Sequence, residues 1–185
     1  MDNENKFVVS FTAAEAKILV VDDSPNLRKS LDWYLSQYDI LTDLCENGEK
    51  AIEAIKTKRY DMVFMDNHMP PGISGIEAVS HIREMGDSDL YFKNLPIIAH
   101  DGRSYKKEMF LQNGYNDFLE KLSHPEQLEA ILVKWLPQEK QIRKENNKKN
   151  VAKAKNEEGV KWPFGCWLCR VGILKRFCIV CPPYR

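Results

Sequence analysis

Five times between residues 17 and 136 a short apolar run gives way to a stretch with helical spacing. The pairs are 17–22 with 24–38, 39–44 with 48–58, 61–66 with 75–85, 95–99 with 104–114, and 115–119 with 125–136. Within KILVV the residues ILVV are continuously apolar rather than alternating, as a strand covered on both faces requires. The next stretch opens with Ser24 and Pro25, which suit an N-cap and a first helical position, and spaces Leu27, Leu31, Tyr34 and Leu35 along one helical face. Repeated strand-helix units leave little choice of architecture: an α/β fold, a doubly wound five-stranded parallel sheet with helices on both faces. A site in such a sheet lies outside the carboxyl ends of the strands, near the point where the strand order reverses.

The residues at those ends are charged. The first run ends in Asp22 and Asp23, the third in Asp66, and Lys121 follows the fifth. No glycine-rich loop follows the first run, so the backbone cradle of a nucleotide phosphate is missing. Converging carboxylates repel, and burial raises the cost unless one protonates or a cation sits among them. Oxygen ligands with room for water suit Mg²⁺. Taken alone, an Asp-Asp pair at a strand end is more often a solvated turn; the metal reading comes near parity with it only when Asp66 and Lys121 recur at equivalent ends.

Charge divides the chain. Residues 1–137 hold 15 Lys/Arg against 23 Asp/Glu, and residues 138–185 hold 12 against 4. The expected organisation is an N-terminal extension (1–15), a globular domain (16–137), a charged linker (138–161) and a Cys-rich basic tail (162–185). No apolar run is long enough for a bilayer and the N-terminus lacks the order of a signal peptide, so a cytoplasmic protein is expected, with its cysteines reduced or metal-bound. In the tail, Cys166/Cys169 and Cys178/Cys181 form two CxxC pairs that could hold one Zn²⁺ in a short hairpin. The rival readings are a basic aromatic tail lying on a membrane or partner surface, and an unstructured extension with incidental cysteines. The tail's partner is not legible.

The stretches ILVVDDSPNLRKSL, YDMVFMDNHMP, SGIEAVSHIRE and NDFLEKL resemble the receiver domain of two-component response regulators. The flanking FTAAEAKILVVDD, YFKNLPIIA, EMFLQNGYNDFLEK and LVKWLP are most similar to the receivers of bacterial hybrid sensor histidine kinases, and the resemblance spans about residues 12–137. It implies the flavodoxin-like receiver fold and a phosphoacceptor rather than an enzyme. In that role Asp66 accepts a phosphoryl group from a histidine kinase or phosphotransfer protein. Asp22, Asp23, Asp66 and the His68 backbone carbonyl hold Mg²⁺, and Lys121 contacts the phosphoryl oxygens. No nucleic-acid contact is expected from the receiver.

The sequence departs from the family at three places. Asp101 stands where receivers carry the Thr or Ser whose hydroxyl bonds the new phosphoryl group; the segment 99–108 is about two residues shorter than in relatives, which leaves Ser104 as the alternative hydroxyl. The loop after the acceptor is one residue longer, with Pro70, Pro71 and Gly72 as a stiff turn. Leu122 replaces the proline after the lysine, so a trans bond or strain is expected there, because a cis bond before leucine costs about 2.5–4 kcal/mol. Phe118 occupies the aromatic switch position, where a plain core role is the competing reading. These departures keep a second function in view, a degenerate pseudo-receiver that binds a partner constitutively, and a third, the detached end of a hybrid kinase gene.

Overall fold

The computed structural model describes residues 8–102 and 106–144. Their elements run β1 (Phe11–Thr12), β2 (Lys17–Val21), α1 (Pro25–Ser36), β3 (Leu41–Cys45), α2 (Gly48–Thr57), β4 (Met62–Met65), α3 (Gly75–Glu84), α4 (Leu90–Asn94), β5 (Ile97–Asp101), α5 (Lys107–Gln112), β6 (Asp117–Glu120), α6 (Pro125–Trp135) and β7 (Ile142–Arg143). Strands β2 to β6 form one parallel sheet in the order β3-β2-β4-β5-β6. The first long strand therefore pairs on both sides, Val20 with Leu44 and with Phe64, and the sheet grows in opposite directions from it.

Helices α1 and α6 cover one face, packing Leu31, Leu35, Leu128 and Leu132 against Ile18, Val20, Phe64 and Ile98. Helices α2, α3 and α5 cover the other, with Ala51, Ile55, Val79, Ile82 and Phe110 against Leu19, Val21, Val63 and Met65. Every residue of β4 is buried, which is why its sequence, MVFM, shows no alternation. Helix starts are fixed locally: Asn47 accepts from Lys50 N at 2.9 Å, and Ser74 forms a reciprocal capping box with Glu77. Ser24 makes no side-chain cap; its backbone N–H bonds Asp22 Oδ1 at 2.9 Å instead, so this helix start orients a site carboxylate.

Several bounds differ from the sequence expectation. The strand expected over 95–99 lies at Ile97–Asp101, because Pro96 has no N–H for the ladder and serves only through its carbonyl, which accepts from Val63 N at 2.9 Å. Asp101 is thus the last strand residue, in register with Glu120. The helix expected over 104–114 occupies Lys107–Gln112, and Ser104 lies outside the described residues. The short α4 was not legible, since five residues carry too little periodicity to be read.

The packed body reaches past residues 16–137 on both sides. Phe11 is buried with its ring 5.0 Å from that of Tyr38, β1 pairs antiparallel with β7, and Lys140 Nζ lies 2.7 Å from Asp61 Oδ1 just before β4. Both flanks therefore hold the edge where the parallel strands begin, opposite the strand ends that carry the charges. Cys166, Cys169, Cys178 and Cys181, with the zinc reading attached to them, lie outside the described residues. Among the described residues no helix is long and apolar enough to cross a membrane.

Candidate functional site

The parallel sheet delivers its strand-end charges to one cleft. Asp22 and Asp23 follow β2, Asp66 follows β4, Asp101 ends β5 and Lys121 follows β6. Lys121 Nζ lies 2.8 Å from Asp22 Oδ2 and 2.7 Å from Asp66 Oδ2, bridging the two carboxylates. Asp22 and Asp66 are buried, at 1% and 4% exposure, so the ammonium is the group that makes their burial tolerable. Asp66 Oδ1 also accepts from Asn67 N at 2.7 Å, and Arg28 donates to the Asp22 carbonyl. Asp23, His68, Asp101 and Gly102 line the same cleft with Asp66 and Lys121.

Burial pushes the Asp66 carboxyl above the ordinary carboxylate range, outweighing the opposing hydrogen bond and charge of Lys121. Burial works against the Lys121 ammonium too, yet its hydrogen bonds to Asp22 and Asp66 win and hold it above the ordinary lysine range. Asp22, Asp23 and Asp66 each offer a carboxylate oxygen within 4.8 Å of the others. Three hard oxygen donors at that separation, open to water on the Asp23 side, fit a small divalent cation such as Mg²⁺.

The structure therefore brings together Asp22, Asp23, Asp66, Asp101, Lys121 and His68, whose side chain is exposed at the rim. Phe118 lies half-buried behind them, its ring stacked at 5.9 Å and 20° on that of Phe110. Among the described residues the only cis peptide joins Pro70 and Pro71, so the Lys121–Leu122 bond is trans; Leu122 takes φ +62° and is 89% exposed. A leucine in that left-handed region is strained, and the absence of the ring that proline would supply is what permits it.

Sequence reasoning missed three residues around the site. Gly75, at the start of α3, sits so close that a Cβ there would meet the Asp66 carbonyl oxygen at 2.1 Å. Tyr115 is buried with its hydroxyl facing the same spot, 2.6 Å from that Cβ position. His100, in β5, is buried on the α1/α6 face against Phe64, ring centroids 6.3 Å apart. Burial, helped by the Lys121 charge and opposed by Asp101, holds its pKa down to about 4, so it is a neutral imidazole. A histidine in an otherwise apolar run was the one signal available for it; Tyr115 looked like ordinary core.

A family model described as response regulator receiver domain matches residues 18–133. The sensor histidine kinase GacS of Pseudomonas protegens is 31% identical over 121 residues, 64% of this chain but 13% of that protein. The transcriptional regulatory protein ResD of Bacillus subtilis is 34% identical over 116 residues, 62% of this chain and 45% of ResD. The chain thus spans less than half the length of these relatives. Among solved structures, the receiver domain of a Pseudomonas aeruginosa sensor histidine kinase, with magnesium coordinated in its active-site cleft, is similar at TM-score 0.58 and 28% identity, covering 65% of this chain and 96% of that one. A co-crystal structure of the Saccharomyces cerevisiae phosphotransfer protein Ypd1 with the Ssk1 receiver domain gives TM-score 0.60 and 26% identity, covering 69% and 90%.

Proposed function

The chain belongs to the response regulator receiver family, and from that premise we propose that it is a phosphoacceptor in a two-component phosphorelay. Asp66 takes a phosphoryl group from the phosphohistidine of a histidine kinase or phosphotransfer protein, in the cytoplasm. The observation that carries this reading is the Lys121 ammonium bridging Asp22 and Asp66 at 2.8 and 2.7 Å at the carboxyl end of the sheet. A cation fixed on a buried carboxylate is what an acyl phosphate needs beside it.

In the transfer, an Asp66 carboxylate oxygen forms a bond to phosphorus as the phosphorus–nitrogen bond of the donor breaks, and the donor imidazole keeps the electron pair. Lys121 moves with the charge, from the Asp66 carboxylate to the phosphoryl oxygens. The Asn67 N–H on Asp66 Oδ1 holds the carboxyl plane, leaving the other oxygen as nucleophile. Asp22, Asp23, Asp66 and the His68 carbonyl are the groups that would hold Mg²⁺, which would supply positive charge against the phosphoryl oxygens. Receiver domains are phosphoacceptors rather than turnover enzymes, and all of this chemistry modifies the chain itself.

A second reading, a pseudo-receiver that binds its partner constitutively, is favoured by one observation: the residue at the end of β5 is a buried carboxylate, Asp101, rather than a hydroxyl. A carboxylate cannot donate to a phosphoryl oxygen. Incubation of the full chain with acetyl phosphate and Mg²⁺, followed by intact-mass measurement, separates the two. The relay reading expects a gain of one phosphoryl group that Asp66→Asn abolishes; a wild-type chain that never gains it supports the pseudo-receiver.

A further inference from the structure

Among the described residues, two buried side-chain polar atoms lack a hydrogen-bond partner: Asp22 Oδ2 and the Tyr115 hydroxyl. The first is ion-paired with Lys121 at 2.8 Å, so the Tyr115 hydroxyl alone has nothing. Burying a hydroxyl without a protein partner is costly, so such a group is a candidate for a role in another state of the site. Tyr115 is 4% exposed, its ring edge-on to Phe110 at 5.2 Å and 69°. Its hydroxyl lies beneath the acceptor, facing the space that Gly75 leaves open against the Asp66 carbonyl.

Asp101 approaches the same region from the neighbouring strand. Ile97, Ala99 and Asp101 alternate onto one face of β5, and Ile97 and Ala99 belong to the cluster that contains Tyr115. Burial first, then the charges of Asp66 and Asp101, hold the phenol protonated, which makes it a donor. Asp101 is itself engaged in this structure, so any turn of its side chain exchanges one partner for another. Its carboxylate lines the cleft with Asp66. A phosphoryl group on Asp66 would bring up to two negative charges to that cleft, which repel the Asp101 carboxylate and favour its turning to a donor.

We propose that Tyr115 is a positioning residue for the phosphorylated state: with a phosphoryl group on Asp66, the Asp101 carboxylate turns out of the cleft and accepts a hydrogen bond from the Tyr115 hydroxyl. This rests on Asp66 being the acceptor. The phosphorylated form gains a bond that the unphosphorylated form lacks, and the repulsion at the cleft falls in the same movement. The repulsion exists only after phosphorylation and is what shifts the equilibrium toward the turned state, where the Tyr115 hydroxyl replaces the partner that Asp101 leaves. The chain would thereby replace a hydroxyl at the strand end with a carboxylate and a phenol acting as a pair.

The test is a double-mutant cycle on the full chain. Wild type, Tyr115→Phe, Asp101→Asn and the double variant are loaded with acetyl phosphate and Mg²⁺, freed of donor, and followed by intact mass as the phosphoryl group is lost. Tyr115→Phe should shorten the phosphorylated lifetime about tenfold, the size expected for losing a hydrogen bond to a charged group. In the Asp101→Asn background the same change should have no effect, because the charge it relieves is gone. A purely structural role would lower the urea midpoint and act alike in both backgrounds. Equal lifetimes for wild type and Tyr115→Phe, or an equal loss in both backgrounds, overturns the proposal. A wild type that gains no phosphoryl group removes the acceptor reading, and this one with it.

Discussion

His100→Leu isolates one buried ionisable group whose effect on stability has a definite sign. The folded imidazole has its pKa depressed from 6.5 to about 4, by burial first and by Lys121 second, with Asp101 opposing. Between those values the unfolded chain binds a proton that the folded chain refuses, so stability falls as pH drops through the ordinary imidazole value and levels off below the folded one. The loss amounts to about 2 kcal/mol near pH ~5 and about 3 kcal/mol near pH ~4. Asp66, whose raised pKa makes stability fall as pH rises through the acid range, titrates in both proteins and cancels in the difference. Leucine against Phe64, Leu119 and Leu128 should cost under about 1.5 kcal/mol near neutrality. Urea denaturation across the acid range, analysed as two-state, should show the wild-type free energy dropping relative to the variant by those amounts. Parallel curves would refute the reasoning, since they would mean that the imidazole protonates as easily inside the fold as outside it.

Gly75→Ala should destabilise the domain by about 3 kcal/mol in thermal or urea unfolding, because its Cβ would lie 2.1 Å from backbone, whereas Gly102→Ala, with nothing within 4 Å, should stay within about 0.5 kcal/mol. Leu122→Gly should stabilise by about 1 kcal/mol, as it relieves φ +62° at a residue that is 89% exposed and buries little; a lower urea midpoint would contradict this. Phe11→Ala should cost about 3–4 kcal/mol if residues 8–15 belong to the core, and an unchanged unfolding midpoint would return them to a loose extension. Added Mg²⁺ should raise the thermal midpoint of wild type, and Asp23→Ala should remove most of that rise by taking away one of three carboxylate ligands; the same rise in both would place the ion elsewhere.

Much of the fold is written locally. ILVV and MVFM are continuously apolar because the sheet is covered on both faces, and a chain that repeats such runs between helical stretches has few other ways to bury them. The acids and the lysine at strand ends were legible for a related reason: parallel strands all finish at one edge, so residues at equivalent ends converge whatever their distance in sequence. Other features depended on contacts that no local pattern encodes. Lys121, after β6, reaches Asp66 past β5 and Asp22 past β5 and β4, and which carboxylates it bridges is decided by the strand order. Phe11 packs on Tyr38 from a strand, β1, whose partner β7 lies at the far end of the domain in sequence. Tyr115 and His100 carry no strand-end position or motif that would single them out locally as part of a site. Their ionisation and hydrogen bonding are set by what packs beside them from other elements, and burial strengthens those electrostatic neighbours only once the chain has closed around them.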